Sequence, residues 1–354
     1  MKIRSLERSL QSFIYEKTKG EIMNNLKKVG LSALAGSLAV CSANAAEMTV
    51  SGATVLTYTN EHTTETTGNP YGMKTNIGFT ASGDVNGYTV SYMQTSADQF
   101  SGMSSARLSV DMGSMGTIAF DQGSGSGLAT IDDKTPTAAE EIWDGLDGVT
   151  VGGLVGAAGN SGVFNYINTF GGLTLNAAGR KGSGTSNSDG SSSGAGGSAM
   201  DFALTGAGDM LGLDGLAWGV GYGTADAGEQ QNLAGAEDAD THATIFANYS
   251  FGPATFGMQK SSIDFGANGT ASQATDAWGL AVNVNDDISV SYGERDVEYG
   301  TASGAHVTEN GEGIAIAYTM GSMKIAGNRN EVSNNDGTTG SNDQMTEIAL
   351  SFAF

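Results

Sequence analysis

The side chains that most often break and make bonds are few in this chain and far apart. The three histidines, His62, His242 and His306, form no His-Glu-x-x-His pair, so a metallohydrolase centre is not expected. Cys41 is the lone cysteine, which excludes a disulfide framework and a thiolate-ligated zinc site. Despite 54 glycines in 354 residues, there is neither a G-x-x-x-x-G-K-[ST] loop nor a G-x-G-x-x-G turn to cradle phosphate. A Ser/His hydrolase is a minor alternative: His242 begins a strand-like segment, with no recognisable nucleophile motif beside it. Acid clusters such as Glu237-Asp238-Asp240 and Asp132-Asp133 offer the oxygen ligands that Ca²⁺ takes, on spacings that match no EF-hand loop. No other metal or cofactor is expected.

What remains is chemistry of fixed charge. The chain has 16 basic and 38 acidic residues, a formal charge of −22, which repels nucleic acid and argues against docking on anionic lipid by charge alone. Acids gather between residues 123 and 160, at Asp132, Asp133, Glu140, Glu141, Asp144 and Asp147, with Lys134 the basic residue among them. Basic side chains stand instead within or at the ends of alternating segments: Arg107, Arg180, Arg295 and Arg329, with Lys74 and Lys324.

The elements that must position these charges are strands. Apolar and small residues alternate in segments of about 8 to 11 residues, the period of a strand with two unlike faces. In the last segment Ile348, Leu350, Phe352 and Phe354 alternate with Glu347, Ala349, Ser351 and Ala353. Leu216, Trp218, Val220 and Tyr222 likewise oppose Ala217, Gly219, Gly221 and Gly223. The small face carries Gly, Ala, Ser, Thr and Asn where a soluble sandwich would show many charges, so it suits a water-filled lumen, and the large face suits lipid. Sixteen segments are expected, centred near residues 53, 79, 91, 108, 118, 166, 177, 203, 220, 245, 257, 280, 291, 315, 326 and 349. An even number closes an antiparallel barrel with no unpaired edge in hydrocarbon. Arg107 and Arg295 lie on the small face, where a mid-strand Arg avoids the roughly 2–4 kcal/mol cost of facing the bilayer midplane.

Turns and loops alternate as well. Short connections such as Asn285-Asp286-Asp287 are interleaved with polar loops near 59–73, 181–198, 225–240, 262–274, 296–310 and 330–343. Four short turns place Met, Phe or Tyr close before a glycine: Met112-Gly113, Phe170-Gly171, Tyr249 to Gly252 and Tyr318 to Gly321.

Upstream, Lys27 and Lys28, an apolar run from Val29 to Val40, and Ala43-Asn44-Ala45 make up a secretory signal peptide over residues 23–45, with cleavage expected after Ala45. Residues 1–22 read as an upstream extension from a misplaced start. Leu38-Ala39-Val40 lacks the small residue wanted before a lipidated Cys41. Cleavage leaves 9 basic against 35 acidic residues on a barrel spanning 46–354.

Signal peptide, sixteen two-faced strands, acidic mature chain, aromatic-Gly turns and a terminal Phe354 together resemble the general diffusion porins of Gram-negative bacteria, the alphaproteobacterial type in particular. The resemblance implies an all-β transmembrane barrel in the outer membrane, among lipid and lipopolysaccharide, assembled as a homotrimer and passing small hydrophilic solutes and ions. It implies that residues 123–160, after the fifth strand, fold inward as a constriction. The acids of that loop would then face wall bases drawn from Arg107, Arg180, Arg295, Arg329, Lys74 and Lys324. It also makes Leu350, Phe352 and Phe354 the signal read by the barrel-assembly machinery. The excess of acids leads to an expected preference for cations. The nearest alternative is a substrate-selective channel, for sugars for example; a plugged barrel acting as a hydrolase or adhesin is the more distant one.

Overall fold

A computed structural model describes residues 47–61, 68–96, 102–146, 161–182, 198–226, 239–266, 272–300 and 307–354. The expected signal peptide with Ala43 and Ala45, loop residue Asp147, and Glu237 and Asp238 lie outside the described residues.

The alternating segments form β1 (Glu47–Asn60), β2 (Tyr71–Val85), β3 (Tyr88–Ser96), β4 (Met103–Asp111), β5 (Thr117–Gln122), β6 (Ser161–Phe170), β7 (Leu173–Arg180) and β8 (Ala199–Ala207). They continue as β9 (Leu216–Ala225), β10 (Asp240–Phe251), β11 (Ala254–Asp264), β12 (Gln273–Asn283), β13 (Ile288–Tyr299), β14 (Glu309–Met320), β15 (Met323–Ser333) and β16 (Asp343–Ala353). Each of the sixteen expected centres falls inside a strand. Every strand pairs with its sequence neighbours, and β1 pairs antiparallel with β16, so the sheet is a closed barrel. The seam is finished by two backbone bonds, Gly52 N to Phe354 O at 2.9 Å and Phe354 N to Gly52 O at 3.0 Å. Closure leaves no strand edge with unpaired donors, the condition for strands to cross hydrocarbon. Among the described residues no helix is long and apolar enough to cross a membrane.

The aromatic-Gly turns have a conformational cause. Gly113, Gly171, Gly252 and Gly321 hold φ between 55° and 64°, a region that residues with a Cβ enter at a cost. Asn86-Gly87, both at positive φ, makes the equivalent tight hairpin between β2 and β3. These turns share one end of the barrel with both strand termini at the seam; the long loops share the other.

Alternation sorts the side chains as expected. Outward positions include Leu56, Phe79, Leu108, Phe164, Phe202, Ile245, Ile314 and Phe352, all exposed. Most inward positions are small or polar. On β1 to β10 and β16 no outward strand residue is charged. On β11 to β15 the outward face turns acidic towards the long-loop end, with Asp276, Glu294, Asp296, Glu298, Glu312 and Glu331. Trp278 Nε1 donates to Glu294 at 3.2 Å, and Tyr292 Oη lies 2.7 Å from a carboxylate oxygen of both Glu294 and Glu312, sharing its one proton between them. Aromatic rings with a polar edge turned to carboxylates mark the border between an apolar band and a wet rim.

Arg329 belongs to that rim. The expectation that it lines the lumen is corrected: it shares the outward face of β15 with Ile325 and is exposed, and its Nε and Nη2 donate to Glu331 at 2.8 and 2.6 Å.

Candidate functional site

Between β5 and β6 the chain leaves the wall, and its described part, residues 123–146, lies against inward-facing side chains. A 3-10 turn at Gly127–Ile131 starts the path. Its Leu128 and Ile131, 0% and 1% exposed, pack with Ala203 of β8 and Phe246 of β10. Phe246 is a large apolar residue on an otherwise small face, and this contact explains it.

Glycines on the wall provide the seat. A Cβ added to Gly221 would stand 2.2 Å from Leu128 Cδ1; one on Gly257 would be 2.4 Å from Pro136 Cδ, and one on Gly279 would be 2.7 Å from Pro136 O. Further round, Ile142 occupies the space over Gly293 and Gly313, at 3.3 and 2.9 Å from the same imagined atoms. Much of the small face of β9 to β14 is therefore a bed for this segment as well as a wall for water.

Wall side chains also take up the segment's backbone polar groups, which would otherwise be buried without partners. Gly127 N donates to Asn176 at 2.9 Å and Leu128 N to Asp201 at 3.0 Å. Gln259 Nε2 donates to the carbonyls of Ile131 and Asp132, each at 2.9 Å, while its Oε1 accepts from Lys134 N at 2.7 Å. Asn248 Nδ2 donates to Lys134 O at 2.7 Å, and Ala138 N donates to Ser291 Oγ at 2.9 Å. Asn330 Nδ2 reaches the carbonyls of Glu141 and Asp144 at 3.0 and 2.9 Å. Met345 and Val332 close the path against Leu146. These contacts run from β7 round to β16. On the inner face of β2, Lys74 and Asn76 stay exposed.

The expected bases occupy different settings. Arg295 points inward but does not border open water: it is 2% exposed, ion-paired with Glu309, and lies 5.1 Å from the Trp143 ring centroid. Glu309 also accepts from Tyr299 Oη at 3.1 Å and from Asp336 N at 2.9 Å. The group thereby bolts both the inward segment, through Trp143, and the loop after β15 to the wall. Arg107 faces inward across from Met93 and Asp121. Asp121 is itself buried, accepting from Ser124 N at 2.9 Å and Ser126 Oγ at 2.5 Å. Arg180 faces inward at the long-loop end of β7, and Lys324 faces inward beside Thr319 and Ser351 near the short turns. Lys74 faces inward opposite Val55.

Among the acids, Asp132, Asp133 and Glu141 converge. Burial and the adjacent Asp133 carboxylate raise Asp132 to about 6. Burial, together with Asp133 and Glu140, raises Glu141 above its ordinary value. Lys134 Nζ lies 3.9 Å from Asp133. Asp144, Lys74 and Glu140 are charged neighbours of Glu347 of β16. Glu347, which accepts from Thr59 Oγ1 at 3.3 Å, stands in plain sight on the small face of the last strand, but nothing in its own segment tells it from a loop-end carboxylate. Gln259 and Asn330 were equally hidden, because an inward amide reads as ordinary lumen polarity. Among the described residues no group of three or more His, Cys, Asp or Glu side chains is placed to hold a metal ion.

A closed antiparallel barrel of sixteen strands is the fold shared with solved bacterial porins. Salmonella typhi OmpF in complex with daunomycin superposes with a TM-score of 0.62 at 13% identity, over 88% of this chain and 99% of that one. An anion-selective porin from Comamonas acidovorans gives 0.57 at 14%, over 87% and 100%. The outer membrane channel DcaP of Acinetobacter baumannii gives 0.57 at 13%, over 87% and 97%. No family model matches the sequence, and no curated protein matches it either.

Proposed function

We propose that the protein is an outer-membrane porin through which small hydrophilic solutes and ions diffuse passively, with a preference for cations. One observation carries the reading: a segment is fastened along the inner wall from β7 to β16, while charged side chains on the β2 and β16 side remain beside water. A plug would need to cover that side too. On this reading the narrow part of the passage lies between Glu140 and Asp144 on the segment and Lys74 with Glu347 on the wall. Carboxylates outnumber the amine there, so a passing cation is favoured over an anion. The fold does not decide the sign, since one of its solved examples is anion-selective. The chemistry is transport, with no bond made or broken. The protein assembles as a homotrimer, and its last strand, ending in Leu350, Phe352 and Phe354, guides insertion.

The test is single-channel recording of the refolded protein in a planar bilayer under a salt gradient. Steady open steps with a cation-side reversal potential are expected. Folded protein that conducts nothing would refute the channel, and an anion-side potential would refute the assignment of the selecting charges.

A further inference from the structure

On the outer wall, away from the passage, β7 is lower than its neighbours. Its outward residues Ala177 and Gly179 form the floor of a groove of about 650 Å³, with Phe164 and Tyr166 of β6 on one side and Met200 and Phe202 of β8 on the other. Phe164 and Met200 are 65% and 69% exposed, so the walls stand proud of the floor. Two strand spacings separate those walls, about 10 Å, and the side chains narrow that to the width of a single extended chain. The groove runs along β7 to the long-loop end. There Lys181, two residues beyond Gly179, is exposed. No acid stands on the outward face of β5 to β9, whereas acids crowd the outward rim of β11 to β15, where the two cations, Lys260 and Arg329, are paired with Asp276 and Glu331.

We propose that this groove holds an acyl chain of a phosphate-bearing lipid, with Lys181 at the phosphate. An apolar slot one chain wide, open to hydrocarbon, with a cation just beyond its water end has the shape and polarity of an amphiphile. The acidic rim on the opposite sector repels the same headgroup, so such a lipid is held on one side of the barrel. The inference rests on the barrel being membrane-embedded, which conductance in the same vesicles checks separately.

The experiment reconstitutes the refolded protein in phosphatidylcholine vesicles doped with spin-labelled phosphatidic acid or spin-labelled phosphatidylcholine, and measures the motionally restricted fraction of each label. The expected result is a preference for phosphatidic acid. K181Q should lower that preference about fivefold, the equivalent of roughly 1 kcal/mol for one basic residue at a lipid surface, and K181R should restore it. Filling the floor with A177L/G179L should release both labels from the tight site while conductance stays unchanged. Conducting protein with equal restriction of the two labels, or A177L/G179L that retains the restricted phosphatidic acid, would overturn the proposal. If A177L/G179L instead breaks up an oligomer in sedimentation, the groove belongs to a second copy of the chain and the lipid assignment falls.

Discussion

Adding one carbon to the bed beneath the inward segment should move the segment, in a direction the structure dictates. Gly257 and Gly279 are neighbours across β11 and β12, and Pro136 lies on both. Alanine at these positions would bring a Cβ to 2.4 Å from Pro136 Cδ and 2.7 Å from Pro136 O, and at Gly257 it would also press on the Asn248 amide oxygen at 2.1 Å. Neither glycine has a positive φ, so alanine strains no backbone there and the effect is one of contact. Ordinary contact begins near 3.4 Å, so Pro136 must rise by several tenths of an ångström to about one. It can move only away from β11 and β12, into the passage. The bonds at Lys134, from Lys134 N to Gln259 and from Asn248 to Lys134 O, both 2.7 Å, would be stretched or broken by the same shift. Overpacking of this kind costs about 1–3 kcal/mol. G257A/G279A should therefore lower single-channel conductance and the midpoint of urea unfolding together. Gly327 of β15 supplies the control: its Cβ would meet nothing closer than 3.6 Å, and G327A should change neither. Unchanged or raised conductance in G257A/G279A would refute the idea that glycine on this face is a seat that sets the width of the passage.

Further outcomes are expected. A unit charge about 10 Å from an ion in water is worth roughly 0.4 kcal/mol, about twofold in the population of each ion and opposite in sign for cation and anion, so K74Q should raise the cation-to-anion permeability ratio about fourfold and E347Q should lower it by a similar factor. Both shifts should shrink in high salt, where charges are screened beyond a few ångströms, and reversal potentials at two salt concentrations check this. Asp132 is held at about 6, above its ordinary 3.8; the folded state then binds the extra proton more readily than the unfolded one, and stability falls as pH rises from about 4 to 6. D132N should flatten that part of the pH dependence of urea unfolding and raise stability at pH 7; in wild type, acidification through 6 should weaken cation preference, and D132N should lose that step. Removing Arg295 leaves Glu309 buried and uncompensated, a loss on the order of 3–5 kcal/mol, so R295M should be strongly destabilised and R295M/E309L much less so, as read by denaturant unfolding.

The strands were legible because the two faces of the wall differ most in mid-strand, where one faces outward and the other meets water. That contrast fades where a strand rises past the apolar band, since both faces are then wet. On β13 the outward face runs Ile288, Val290, Tyr292 and then Glu294, Asp296, Glu298, so parity remains readable from its lower half. On β15 the outward face runs Met323 and Ile325 and then breaks at Gly327 before Arg329, and a basic residue above that break reads equally well on either side. Arg329 was misplaced for this reason, while Arg107, beside Leu108 and Val110 in mid-strand, was not. Arg295 had the right parity and the wrong surroundings: its burial depends on Trp143 and on Glu309, which are brought to it by separate turns of the barrel and carry no local signal.

The small face itself had two meanings that alternation cannot separate. Glycine, serine and asparagine in a strand fit a wall that touches water, and they equally fit a wall that receives another segment, because a close approach needs a missing Cβ and buried backbone needs side-chain partners. The distribution of glycine separates the two. On β11, β12, β13 and β14, inward glycines lie in register across adjacent strands, Gly257 with Gly279, Gly279 with Gly293 and Gly293 with Gly313, a continuous track across four strands that water alone would not require. On β1 and β2 the inward glycines Gly72 and Gly78 are instead separated by Lys74 and Asn76, opposite Val55 and Ala53, so no glycine pairs with glycine there. A track of glycines marks where the inward segment lies, and its interruption by longer polar residues marks where the passage remains open, so in a two-faced barrel of this kind the side bearing the passage can be found by asking which strands have kept their side chains.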